Sequence, residues 1–166
     1  MKRKLQVLVI GYNGDACTRK AYDTAYNVGK EIAKRGAVLL TGGLGGVMEA
    51  ASRGASENKG IVIGIIPSED FVDANKYCNI VICTGIGFAR NFITAYSADD
   101  VIIVGGGIGT LMEAGAAYMK KKRIISMLGS GGTADMYADK YLDERKRVKI
   151  LTAKTPTEAM DIIFKS

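Results

Sequence analysis

Histidine is absent from these 166 residues, and tryptophan with it. Without imidazole the chain cannot build a Ser-His-Asp triad, a Cys-His dyad or a histidine metal site. Chemistry must run on carboxylates, Arg, Lys, Tyr, Cys or backbone groups. Cysteine is scarce and odd in number: Cys17, Cys78 and Cys83 match no zinc spacing, and an odd count argues against a closed disulfide framework. A reducing, cytoplasmic setting is expected, with no metal site. Long apolar runs are missing too, since none approaches the roughly 20 residues that span a bilayer. The basic start at Lys2, Arg3 and Lys4 leads into "LQVLVIG", which is short, alternates, and lacks a small-residue cleavage site. It reads as a first strand, and no membrane partner is expected.

What is present is ordinary for a globular protein, with 48% hydrophobic and 24% charged residues. A chain of this size buries about 70% of its unfolded surface around one core, so a single domain over 1–166 is expected. Lys and Arg outnumber Asp and Glu by 23 to 17, a net charge of +6. The basic clusters at 120–123 and 145–149 hold no interleaved aromatics to stack bases. The first follows a helical pattern whose negative end it complements, and no nucleic-acid partner is expected.

Short β-branched runs alternate with helical patterns. "LQVLVIG", a helix across "AYDTAYNVGKEIAKRG", "AVLLTGG", a helix ending near Asn58 and "IVIGIIP" set a β-α-β-α-β order, which predicts a parallel sheet. "NIVICTG", "DVIIVGG", "RIISMLG" and "RVKILTA" read as further strands, and "TPTEAMDIIFK" as a last helix. Several strands are apolar at successive positions, as when helices cover both faces. The expected fold is a Rossmann-like, doubly wound three-layer α/β/α sandwich with a mostly parallel sheet. In such a sheet ligands bind beyond the carboxyl ends of the strands. The loops there, "GYNGD", "TGGLGG", "TGIG", "GGGIGT" and "GSGGT", hold much of the glycine.

Two of these loops resemble each other. Residues 42–50 read "GGLGGVMEA" and 106–114 read "GGIGTLMEA", identical at six of nine positions. Each follows a strand and opens a helix. Glycine lets backbone N–H groups approach a ligand, and the helix adds unpaired donors and a positive dipole end. Gly11, Gly43, Gly46, Gly106, Gly107, Gly109 and Thr110 are therefore candidates for holding a phosphate. The same glycines also suit tight turns that pack helix against strand. Neither loop ends in Gly-Lys-Ser/Thr, which excludes a Walker loop, and no G-x-G-x-x-G follows the first strand as conventional NAD binding requires.

Glu113 and Arg90 are the candidate catalytic residues. "TLME" also spells a capping box, in which Thr110 and Glu113 would close the helix start between them. In "GIGFARNFITAYSA" the apolar stripe runs through Phe88, Phe92, Ile93 and Tyr96, with Arg90 off that face near the helix start. A cation there opposes the helix dipole, so an anion is expected nearby, either a ligand phosphate or Glu113.

With "GGLGGVMEAASRGA", "GFARNF" and "VGGGIGTLMEAG" in this order, the chain resembles the Lonely Guy-like superfamily over roughly 5–165. That superfamily includes nucleoside 5'-monophosphate phosphoribohydrolases, proteins labelled lysine decarboxylases and molybdenum-cofactor carrier proteins. The resemblance implies a loop that holds a 5'-phosphate through Gly106, Gly107, Gly109 and Thr110. It also implies hydrolysis served by Glu113 and Arg90, and a homodimer or higher homo-oligomer. Gly105 stands where the enzymes carry Pro, and Phe88-Ala89-Arg90-Asn91 stands for their His-Glu-Arg-Lys, which is closer to the carrier-like branch. No Lys stands in a pyridoxal phosphate context, and no cofactor is required. The expected partner is a small phosphorylated ligand, a nucleotide or a molybdopterin-type group. If hydrolysis occurs, an oxocarbenium-like transition state gives Glu113 a cation to stabilise while Arg90 and the loop hold phosphate.

Overall fold

A computed structural model describes residues 3–165, so residues 1, 2 and 166 of the expected domain lie outside it. Seven strands form one sheet: β1 (Gln6–Gly11), β2 (Val38–Thr41), β3 (Ile61–Ile66), β4 (Ile80–Cys83), β5 (Asp100–Val104), β6 (Arg123–Met127) and β7 (Leu151–Ala153). Their spatial order is β4-β3-β2-β1-β5-β6-β7, and every ladder is parallel. The Rossmann-like α/β fold expected from the sequence is thus present, with the sheet parallel throughout. The last strand is shorter than "RVKILTA" implied. Val148 and Ile150 pack into the core, but only the final three residues pair with β6.

Six helices complete the layers: α1 (Arg19–Lys34), α2 (Val47–Glu57), α3 (Arg90–Ser97), α4 (Ile108–Met119), α5 (Gly132–Tyr137) and α6 (Pro156–Phe164). Alternation along each strand sends side chains to opposite faces. Val7, Val9, Leu39, Ile102 and Ile125 pack under α1, α2 and α6, whereas Leu8, Ile10, Leu40, Ile103 and Ile124 pack under α3, α4 and α5. Both faces are covered, which explains the unbroken apolar runs. Helix α1 begins where Thr18 accepts a hydrogen bond from the Ala21 amide, and it buries Ala21, Ala25, Val28, Gly29 and Ile32, a stripe at helical spacing. Among the described residues no helix is long and apolar enough to cross a membrane.

Helices α1 and α2 touch backbone to backbone. A methyl group at Gly29 would stand 2.0 Å from the Ala51 carbonyl oxygen, and one at Gly54 would stand 1.9 Å from that of Tyr26. Glycine is poor helix material, and Ala would gain about 1 kcal/mol in propensity alone. Here packing outweighs propensity. Gly29→Ala is expected to destabilise the fold by about 1–3 kcal/mol. The check is a lower urea midpoint at unchanged slope; an unchanged or raised midpoint would contradict the contact.

Candidate functional site

The chain leaves β1 towards β2 but returns from β4 to place β5 on the other side of β1, so the sheet's switch point lies between β1 and β5. Connections diverge there and open a crevice at the carboxyl edge. A cleft of about 450 Å³ occupies this place. Gly11 at the end of β1 and Tyr12, Asn13 and Asp15 after it form one wall, and Gly107, Ile108, Gly109 and Thr110 after β5 form another. Gly42, Leu44 and Met48 border it from the β2 side, and Phe88, Arg90, Asn91 and Glu113 complete it.

The β5 loop is built for close approach. Gly105 and Gly106 hold φ of +62° and +101°, conformations that disfavour any side chain. Nothing lies within 4 Å of where side chains at Gly107 and Gly109 would begin, so that edge faces open space. The first main-chain bond into α4 runs from the Leu111 amide to the Gly107 carbonyl oxygen at 3.0 Å. The amides of Ile108, Gly109 and Thr110 belong to the first turn, where the helix offers no acceptor. Neighbours fix the loop from behind. Gly105 N–H donates to Ser130 Oγ at 2.8 Å, and the Gly106 carbonyl accepts from the Thr133 amide at 2.9 Å and from its hydroxyl at 3.1 Å. Residues 129–133 therefore brace the cradle, and Asp135 in turn accepts from the Gly129 and Gly131 amides.

Thr110 and Glu113 do not form a capping box. The cap of α4 is Gly107, so Thr110 is already the third helical residue and Glu113 lies in the second turn. The Thr110 hydroxyl instead donates to the Gly11 carbonyl oxygen at 3.0 Å, tying β1 to α4. Glu113 is released to point at α3, where Arg90 Nη1 is 3.5 Å from its Oε1 and Thr94 Oγ1 is 2.8 Å away. Arg90 Nη2 donates to the Gly42 carbonyl oxygen at 3.2 Å, and its buried Nε has no protein partner. Burial holds the Arg90 guanidinium below its ordinary value, against the pull of Glu113. Burial also pushes the Glu113 carboxyl up to about 7, because Arg90 and Thr94 offset only part of the desolvation.

The predicted pair thus shares one site with Gly11, Gly107, Gly109 and Thr110. Gly43, Gly46 and Gly106 do not line the cleft. Gly43 turns against Gly64 and Ile66, Gly106 packs on Thr110, and a methyl at Gly46 would stand 2.5 Å from the Tyr12 carbonyl oxygen. That same carbonyl accepts from the Val47 amide at 2.9 Å, so the first amide of α2 is taken by backbone, unlike those of α4. The two loops share a sequence without sharing a role. The stripe on α3 is also the reverse of a core face: Phe88, Phe92, Ile93 and Tyr96 are exposed, and Arg90, Asn91, Thr94 and Ala95 are buried. Sequence reasoning missed Tyr12, Asn13 and Asp15, which stood in the recognised "GYNGD" loop, and Thr94, for which a helix interior gave no signal.

A family model described as the SLOG cluster4 family matches residues 4–160. The chain belongs to that family. Its resemblance to the Lonely Guy-like superfamily holds at this level. An uncharacterized protein of Archaeoglobus fulgidus is 43% identical over 123 residues, 74% of this chain and 80% of that protein. Among solved structures, the molybdenum cofactor binding protein of Rippkaea orientalis is 33% identical with a TM-score of 0.84, covering 99% of this chain and 98% of that one. The Moco carrier protein of Chlamydomonas reinhardtii is 31% identical with a TM-score of 0.85, covering 98% and 97%.

The raised Glu113 value carries a stability consequence. Its contribution is complete below about 4.5, the unfolded reference, and is lost as pH rises through about 7. Over that window the stability of wild type relative to Glu113→Gln should fall by on the order of 3 kcal/mol. Urea titrations of both proteins at pH 4.5 and pH 8 check this; parallel pH profiles would refute it.

Proposed function

We propose that this cleft binds a small phosphorylated ligand of nucleotide or molybdopterin type, with its phosphate on residues 107–110 at the start of α4. The observation that carries this is the coincidence of an open helix start and the Arg90 guanidinium, whose buried Nε has no protein partner. An arginine fork and first-turn amides together suit a phosphate. Tyr12, Leu44, Met48 and Ile108 offer an apolar wall for a ring system. Such a ligand accords with the names of the two solved relatives, a molybdenum cofactor binding protein and a Moco carrier protein.

A second reading, N-glycosidic hydrolysis of a nucleoside 5'-monophosphate to free base and ribose 5-phosphate, is favoured by the placement of Glu113 in the same cleft as Arg90. The carboxylate would stabilise the ribosyl cation while Arg90 and the loop hold phosphate. Lysine decarboxylation is not part of either reading.

The outward stripe of α3 supports a homodimer or higher homo-oligomer. Phe92 and Tyr96 meet edge to face at 6.1 Å, and with Met112 and Met119 they line a groove of about 370 Å³. Exposed apolar surface of this kind is a common feature of protein–protein interfaces.

Calorimetry with a panel of nucleoside monophosphates should detect binding that Arg90→Ala weakens at least about tenfold, the loss of one charge-assisted contact. Absence of binding by every member, and of any co-purified phosphorylated ligand, would overturn the phosphate site. Chromatography of the same incubations tests hydrolysis, with base release expected to fall about a hundredfold or more in Glu113→Gln if the carboxylate acts on the ribosyl cation. Light scattering should report an oligomer for wild type and a monomer for Phe92→Glu combined with Met112→Glu.

A further inference from the structure

Thr94 sits on the buried face of α3 with two acceptors and one proton. Its Oγ1 lies 2.9 Å from the Asn91 carbonyl oxygen and 2.8 Å from Glu113 Oε1. A carbonyl can only accept, and a hydroxyl has a single hydrogen to give. With Glu113 ionised, one of these contacts must lack a hydrogen. The hydroxyl is sealed from water, because Thr94 is 0% exposed. With Glu113 protonated both contacts become hydrogen bonds: the acid donates to Thr94, and Thr94 donates to Asn91.

We propose that Thr94 is a positioning residue that keeps a hydrogen bond to Glu113 in either protonation state, and that anion binding beside Arg90 is coupled to the Glu113 proton. The second half rests on the phosphate site described above; the first half does not. Ionisable neighbours are few. Arg90 faces Glu113 from α3, Tyr12 and Asp15 border the same cleft from the loop after β1, and the loop after β2 brings only the Gly42 carbonyl, bonded to Arg90. Helix α4 contributes no other ionisable group to the cleft. Arg90 is therefore the principal charge acting on Glu113.

Two charge states follow. With Glu113 neutral, the Arg90 cation has no counter-charge and attracts a phosphate. With Glu113 ionised, Arg90 is neutralised and the phosphate meets a carboxylate at close range, where like charges repel strongly because the site is poorly solvated. The competent fraction shrinks as Glu113 ionises, and the apparent affinity shrinks with it. The hydroxyl of Thr94 reverses its role across this change, accepting from the acid in one state and donating to the carboxylate in the other.

The direct test is a carbon-13 carboxyl titration of the full chain labelled at glutamate, with the Glu113 signal assigned by its loss in Glu113→Gln. Wild type should titrate near pH 7. Thr94→Val should titrate higher, because the carboxylate loses its one hydroxyl donor, and Thr94→Ser should return to the wild-type midpoint. A Glu113 midpoint between pH 4 and 5, or an unchanged midpoint in Thr94→Val, would overturn the assignment. Ribose 5-phosphate, titrated at pH 6 and pH 8, tests the coupling. Wild-type affinity should fall about tenfold more than that of Glu113→Gln between these values, since the neutral fraction falls by that factor. Equal pH dependence in the two proteins overturns the coupling alone. No binding at either pH overturns the coupling together with the phosphate site, while the carboxyl titration still decides the role of Thr94.

Discussion

Burying the Arg90 guanidinium at the carboxyl edge of the sheet sets the terms for its surroundings. An arginine taken out of water needs acceptors in its own plane. The protein supplies the Gly42 carbonyl on one side and the Glu113 carboxyl on the other. To bring the guanidinium there, α3 turns its polar face inward, and the apolar side chains of the same helix face out. Gly42 leaves room for the same group: a methyl there would stand 2.5 Å from both terminal nitrogens of Arg90, which would have to shift. One buried cation thus accounts for an inverted helix and a bare backbone position, and it offsets part of the desolvation that raises the Glu113 carboxyl.

The two similar glycine loops show how context divides a shared sequence. Both leave parallel strands and start helices, but α2 and α4 lie on opposite faces of the sheet. The chain after β1 passes over the start of α2, where the Tyr12 carbonyl takes the Val47 amide. It meets α4 differently, through the Thr110 hydroxyl on the Gly11 carbonyl. A donor on a side chain leaves the first-turn amides of α4 free, whereas a carbonyl placed at the start of α2 takes its first amide, that of Val47. The helix also begins three residues earlier in "GGIGTLMEA", at Ile108, than in "GGLGGVMEA", where it begins at Val47.

Much of the architecture was legible because it rests on local pattern. Apolar runs of strand length alternating with helical stripes fix a parallel sheet with helices on both faces, and the glycine-rich loops mark its ligand edge. Arg90 was legible as an electrostatic misfit at a helix start. Glu113 was half legible: its spacing from Thr110 fits a cap, and only the helix beginning at Ile108 removes that option. The inward turn of α3 was hidden because a hydrophobic stripe marks a face that avoids water without saying what covers it. Thr94 was hidden for a stricter reason, since its meaning lies in a contact 19 residues away in sequence.

The bracing of the 105–107 segment by Ser130 and Thr133 has a thermodynamic meaning of its own. Loop carbonyls and amides already engaged from behind cannot rotate freely, so the conformational entropy of the cradle is lost during folding and not at the encounter. A ligand then meets a receptor that needs no ordering. Its affinity reflects the contacts it makes, and the helix start behaves as a rigid socket.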